Sequence, residues 1–364
     1  MRAAVLRAFG EPLRICDVEI DPPRRGEALV RLVASGVCHS DLHAALGIHP
    51  SPLPVVLGHE GAGLVEQVGD GVDSVRPGDH VILSWLPYCG RCRFCAAGRP
   101  NLCDDLAWSD AGTMPDGSTR LHLGDEAVHH YTSSTFAELT IVPAQTVIPV
   151  DRTLPLEHLA LLGCAVMTGV GAVFTTARLQ PGATAAVVGC GGVGLNVIQG
   201  ASIAGASRVI ALDIVDAKLE LARDLGATDA INVAAQDPVQ AVRRIAPHGV
   251  DYAFEALGRP ETITTAIELL GKGGTAVLVG MAPPGANVAI DPLAMTYEER
   301  KITGCWYGSC RPQLDFPRLL ELYARGRLRL DPLVSRTCTL DDVNDAFAWM
   351  TSGTVARALI LYDT

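Results

Sequence analysis

The chain has 364 residues, 29 basic and 40 acidic side chains, a net charge of −11, and 48% hydrophobic against 19% charged residues. That length holds about two domains with full cores, which excludes a small disulfide scaffold, and the hydrophobic share excludes disorder. The acidic balance repels nucleic-acid phosphates and anionic lipid, so neither is expected as a partner and small-molecule chemistry is.

From residue 1 to about 150 the chain reads as short alternating runs at 28–33, 63–68, 80–83 and 137–142. Turn pairs such as Pro22-Pro23, Gly69-Asp70 and Pro77-Gly78 separate them, which predicts a mostly β, loop-rich domain. The N-terminal stretch carries Arg7, Glu11 and Arg14, which break up the apolar core a signal peptide needs, so a cytoplasmic protein is expected. Two stretches, 159–177 and 179–207, lack charge long enough to raise the question of a membrane span. Interrupting glycines, Pro181, Asn196 and Gln199 argue instead for buried segments of a globular domain. From about 183 to 305 strand and helix alternate: strands at 183–188, 208–212, 230–233, 250–255 and 275–279, helices at 193–204, 216–225, 238–246 and 261–270. Such βαβ repetition predicts an α/β fold with a doubly wound parallel sheet. The tail predicts helices at 314–323 and 340–350 and a strand at 357–362. These either close the parallel sheet or return to the first domain.

After the strand at 183–188 comes Gly189-Cys190-Gly191-Gly192-Val193-Gly194, and a helix follows at once. In that context the first glycine makes a tight turn, the second lets the backbone approach a pyrophosphate, and the third lets helix and strand close up. The helix N-terminus then presents its positive end to the phosphates. Asp213 ends the next strand, where a carboxylate accepts hydrogen bonds from an adenosine ribose and repels a 2′-phosphate, favouring NAD over NADP.

Eleven cysteines in a chain expected to be cytoplasmic should be reduced, so clusters among them point to metal or catalysis. Cys89, Cys92, Cys95 and Cys103 place four thiolates in one loop, the donor set of a closed tetrahedral structural zinc. An iron–sulfur cluster is disfavoured by the wide last gap and by Asp104 where that pattern has proline. A zinc-ribbon module for nucleic acid, suggested by Arg91, Arg93 and Arg99, is disfavoured by the acidic whole. Cys38, His59 with Glu60, and Cys164 are scattered, and their spacing alone proves nothing. Two cysteines and a histidine with a fourth position open are nevertheless one form of catalytic zinc site.

The run Gly58-His59-Glu60 with Gly63 and Gly69, the four-cysteine loop, Cys164 with Thr168-Gly169, and the dinucleotide motif together resemble the zinc-containing medium-chain alcohol dehydrogenases. The order and spacing of these blocks match over essentially the whole chain. The resemblance implies a GroES-like, mostly β catalytic domain at 1–165 and 308–364, with a zinc lobe at about 89–103, and a Rossmann coenzyme domain at 166–307. It implies catalytic zinc on Cys38, His59 and Cys164 with Glu60 close behind, Asp41 orienting His59, and structural zinc on the four cysteines. Ser40 and His43 match a proton relay from the active site to solvent, in which an unperturbed His43 titrates near ~6.5. Read without the resemblance, His43 is an ordinary surface histidine.

Thr168, Lys218, His39 and Arg357 match positions that contact the coenzyme, with His39 standing where many relatives place arginine. Trp85, Tyr131 and Met281 lie near the family's substrate pocket, and bulky walls there favour primary or aromatic alcohols. The long segment 103–135 resembles the dimeric animal, plant and glutathione-dependent formaldehyde dehydrogenase branch, which implies a homodimer. In that branch Arg120 falls where the carboxylate of a thiol adduct is held, but His49 and Ser51 stand in the region of the acidic pair that grips the glutathione amine. The function expected is therefore zinc-dependent oxidation of an alcohol to an aldehyde, and the reverse, with hydride passed to NAD. Oxidation of a thiol adduct of formaldehyde is the alternative. A non-catalytic dinucleotide-binding protein of the same fold should have lost a metal ligand, and none is lost here.

Overall fold

The fold is that of a computed structural model, which describes residues 1–353 and 355–363. The chain forms two compact units: Met1–Cys164 with Arg311–Arg325 and Val334–Thr364, and Ala165–Cys310 with Gly326–Leu333.

In the second unit six parallel strands form one sheet: Asp229–Asn232, Arg208–Asp213, Thr184–Val188, Val250–Glu255, Leu270–Leu278 and Lys301–Gly304. Counted in chain order this is 3-2-1-4-5-6, the doubly wound arrangement, with its switch point between Thr184–Val188 and Val250–Glu255. The strands are short apolar runs, as sheets covered on both faces require, and Ala186, Val188, Ile210, Leu212, Ala253 and Ala276 share one core. The connecting helices begin on local signals. Asp237 caps Pro238–Ile245 by accepting from the Gln240 amide at 2.7 Å, and proline opens both that helix and Pro260–Leu269. The segment Gly326–Leu333 groups with this unit, although the resemblance put everything after 307 with the first. Gln199 provides the physical tie: it donates to the Arg329 carbonyl at 3.0 Å and accepts from the Arg329 amide at 2.8 Å.

The first unit is built on two sheets of six and seven strands. In the larger one the terminal strand Arg357–Leu361 pairs antiparallel with Glu27–Val37, setting Ala358 against Val37 and Leu361 against Ala34. The tail thus returns to the first domain. Glu27–Val37 runs longer than the expected 28–33 and ends where the first candidate ligand, Cys38, begins. The expected helix 340–350 is a 3₁₀ turn, Leu340–Asp342, followed by the α-helix Val343–Thr351, with Thr339 and Asp342 closing a capping box.

Among the described residues no single helix is long and apolar enough to cross a membrane. The uncharged stretch before Arg178 is instead divided between the helical pieces Leu156–Gly163 and Ala165–Ala177, with Leu159–Val173 buried.

Candidate active site

The metal cluster grows out of one capping arrangement. Cys38 is extended (φ −122°, ψ 154°) and caps the helix His39–Ala45. Asp41, fully buried at the third helical position, reaches back: Oδ2 accepts from the Cys38 amide at 3.1 Å, while Oδ1 accepts from the Gly58 amide at 3.1 Å and lies 2.8 Å from His59 Nδ1. One carboxylate therefore positions two candidate ligands and settles which imidazole nitrogen is left over. That nitrogen, Nε2, is buried without a hydrogen-bond partner among the described residues. The bend that delivers His59 needs glycine: Gly58 has φ +90°, and a Cβ there would lie 2.5 Å from the Phe136 amide nitrogen.

Cys164 follows the 3₁₀ turn Ala160–Gly163, and Glu60 opens the strand Glu60–Val68. One ligand atom from each of Cys38, His59, Glu60 and Cys164 lies within 4.8 Å of the others, and all four residues are buried. The hydrogen bond from Cys164 holds the Cys38 thiol well below its usual range against the cost of burial, with His59 adding to the effect. Two sulfurs, an imidazole with an orphaned nitrogen and a carboxylate form a donor set that fits zinc. Burial pushes the Glu60 carboxyl up to about 7, although the buried Arg357 guanidinium donates to Glu60 Oε2 and pulls the other way.

Gly36 was not singled out from the sequence and belongs to this site. It faces Glu60 across the strand pair, and a Cβ there would fall 1.9 Å from Glu60 Oε2. The signal was present as a lone glycine inside an apolar strand run, which marks a close approach.

Trp85 and Tyr131 stand edge-on to the His59 ring, at centroid distances of 6.2 and 6.0 Å. Ser40 Oγ lies 3.8 Å from Cys38 Sγ, and His43 follows three residues on, on the same helix face. His43 departs from the expected unperturbed imidazole: burial, then the neighbouring His49 ring at 5.7 Å, lowers its pKa. His39 is exposed, with its ring 6.5 Å from that of His43. Ser51 is half-buried.

Two arginines that the resemblance assigns to bound ligands are paired within the chain. Arg357, expected at the coenzyme, is buried and directed at Glu60. Arg120, expected to hold a substrate carboxylate, is completely buried, donating to Glu27 at 2.6 and 3.0 Å and to Asp116 at 2.9 Å. Its charge is consumed in anchoring the segment that carries it.

In the lobe, Cys89, Cys92, Cys95 and Cys103 bring their sulfurs within 4.8 Å of one another. Backbone amides converge on them: Cys89 N to Cys103 Sγ at 3.2 Å, Cys92 N to Cys89 Sγ at 3.3 Å, Cys95 N to Cys92 Sγ at 3.5 Å. Amide donors stabilise thiolates, and those of Cys95 and Asp104 lower the Cys92 pKa to about 6. The donor set fits a closed zinc site. Arg91 and Arg93 are paired with Asp105 and Asp104, both at 3.1 Å.

In the second unit Gly189 turns at φ +97°, and a Cβ on Gly194 would lie 1.8 Å from the Gly189 carbonyl oxygen. Gly191, the cap of the helix Gly192–Ile203, has nothing within 4 Å of where a Cβ would stand, and Gly192 and Val193 follow half-buried in the first turn. This open cradle over a helix N-terminus fits a pyrophosphate. Asp213 Oδ2 accepts from the Cys190 amide at 2.7 Å and Oδ1 from Ile214 and Val215 at 2.8 and 3.0 Å, so the carboxylate also ties the glycine turn to the next strand. Lys218 is half-buried close enough to act electrostatically on Cys190, Thr168 is buried in Ala165–Gly171, and Met281 is 37% exposed.

Residues 24–152 match the family model of the alcohol dehydrogenase GroES-like domain, and residues 192–325 that of the zinc-binding dehydrogenases. The chain is 42% identical, over 99% of both chains, to an S-(hydroxymethyl)glutathione dehydrogenase of Synechocystis sp.. It is 34% identical to benzyl alcohol dehydrogenase from Acinetobacter calcoaceticus, with a TM-score of 0.95 over 100% of this chain and 99% of that one. It is 29% identical to a putative zinc-binding dehydrogenase from Sinorhizobium meliloti 1021 bound to NADP, with a TM-score of 0.84 over 99% of each. With both domains matched, both metal clusters assembled and likeness along its whole length, the chain belongs to the zinc-containing medium-chain alcohol dehydrogenase family.

Proposed function

We propose that the chain oxidises a primary or aromatic alcohol to the aldehyde, and catalyses the reverse reduction, with NAD as hydride carrier. The observation that carries this reading is the buried Cys38, His59, Glu60 and Cys164 cluster with Trp85 and Tyr131 set edge-on to its histidine. Zinc held there supplies Lewis-acid polarisation of an alcohol oxygen, and nicotinamide supplies a hydride acceptor. The chain's own residues do the rest. Asp41 holds Cys38 and His59 in place, Trp85 and Tyr131 keep the cleft narrow and apolar, and Ser40 Oγ accepts the alcohol proton as it releases its own hydroxyl proton toward His43. His43, kept below the ordinary imidazole value by burial and by His49, is able to pass that proton on. The carboxylate of Asp213 supports NAD against NADP.

Oxidation of S-(hydroxymethyl)glutathione is the second reading, supported by the likeness to the Synechocystis dehydrogenase. The engaged Arg120 counts against it. The proposed protein works as a homodimer in the cytoplasm on a small molecule, with neither nucleic acid nor membrane as partner.

The test is absorbance at 340 nm with NAD or NADP and primary, aromatic and secondary alcohols, with formaldehyde added with and without glutathione, alongside zinc analysis. Turnover of primary or aromatic alcohols with NAD at two zincs per chain is expected. Turnover confined to the glutathione adduct would replace the first reading with the second, and a zinc-loaded protein inert to every substrate would end both.

A further inference from the structure

The turn leading away from His130 contains two non-glycine residues in the left-handed region, Thr132 (φ +50°) and Ser134 (φ +46°). Such backbone costs free energy and persists only where its surroundings impose it. Here they do. Ser134 Oγ accepts from the Tyr131 amide at 3.0 Å and donates to the Val56 carbonyl at 3.0 Å, the Ser134 amide returns to the Tyr131 carbonyl at 2.9 Å, and Thr140 Oγ1 donates to the Ser133 carbonyl at 2.5 Å.

What this constrained turn holds in place is Tyr131. Its ring meets His59 edge-on at 76°, and its hydroxyl donates to the main-chain carbonyl of Ser40 at 3.3 Å. Ser40 sits in the first turn of His39–Ala45, its Oγ 3.8 Å from Cys38 Sγ. A wall residue needs only the ring; the hydroxyl reaches a different target, the backbone that carries the proposed proton acceptor.

We infer that Tyr131 is a positioning residue for proton transfer. Its hydroxyl pins the Ser40 main chain, and thereby aims Ser40 Oγ, while its ring packs against His59. The inference rests on the reading of Ser40 as proton carrier. It is tested with Tyr131→Phe, Ser40→Ala and the double variant in the two-zinc enzyme. Tyr131→Phe keeps the ring, so zinc content and melting temperature are expected unchanged. The alcohol KM should move by less than about twofold while kcat falls about three- to tenfold, the size of one neutral hydrogen bond. Acting through Ser40, the loss should vanish in the double variant, which should be no slower than Ser40→Ala alone. Additive losses, or a change confined to KM, would overturn the inference and leave Tyr131 a substrate wall with Ser40's role intact. An unimpaired Ser40→Ala would remove the reading of Ser40 itself, and the inference with it.

Discussion

Glu60 and Gly36 show how a single missing carbon supports a functional site. The carboxylate is buried against Arg357 because the strand opposite has no side chain at position 36. Gly36→Ala places a carbon 1.9 Å from Glu60 Oε2, so either the carboxylate or the strand has to move. Disrupting a buried ion pair costs about 3–5 kcal/mol. The variant is expected to lose about that much stability in denaturant unfolding and to bind the catalytic metal poorly. Unchanged stability with a full metal complement would show that the strand yields at little cost. At this scale the sequence made the ligands legible only through the family resemblance of the blocks that carry them, because residues scattered over 127 positions prove nothing by spacing. The partners behind them, Gly36 and Arg357, depend on which strands pair, and the terminal strand carrying Arg357 is brought in from the far end of the chain.

Among the elements, the two cysteine sites differ in what surrounds them. Cys38 caps a helix at the end of a sheet strand, and its chain neighbours Val37, Ala44 and Ala45 are buried in one apolar core. The lobe has instead two short helical pieces, Arg93–Ala96 and Pro100–Leu102, whose four cysteines are all partly exposed. Metal there stands in for a core. Cys38→Ser should therefore remove activity and one zinc while leaving the melting temperature nearly unchanged. Cys92→Ser should lose the other zinc and lower the melting temperature by roughly 10 °C, at about 2–4 °C per kcal/mol. Equal unfolding in both variants, followed by calorimetry and metal analysis, would contradict this division. The element limits read from the sequence were least accurate where tertiary pairing sets the end of a strand, as in Glu27–Val37.

For the molecule as a whole, the long segment between the lobe and Thr135 is fastened by the Arg120 network, and that network makes stability depend on pH. His130 accepts from the Arg120 amide at 3.2 Å, and burial, then the Arg120 charge, lowers its pKa to about 3. In the unfolded chain a histidine titrates near ~6.5. Between those values the unfolded state carries a proton that the native state lacks, so stability rises with pH across that window and is lost as the pH falls. The contribution at pH 5 relative to pH 8 is a loss of about 2 kcal/mol. His130→Gln, which keeps an acceptor for the Arg120 amide, should flatten the dependence of unfolding free energy on pH between 8 and 5. An unaltered slope would assign the acid sensitivity elsewhere.

The sequence by itself determined what local chemistry can specify: a parallel sheet from its βαβ rhythm, a phosphate-binding turn from three glycines before a helix, and a four-sulfur metal lobe from closely spaced cysteines. Each is a contact between near neighbours, so its signal survives in one dimension. Only the tertiary structure decided what depends on distant pairing. It closed Cys38, His59, Glu60 and Cys164 into one cluster, turned Arg357 toward Glu60, paired Arg120 with the distant Glu27, and joined Tyr131 to Ser40. The physical reason is shared: a buried charge or hydroxyl takes whichever partner the packed sheets bring within reach, and sheet pairing is a property of the whole chain.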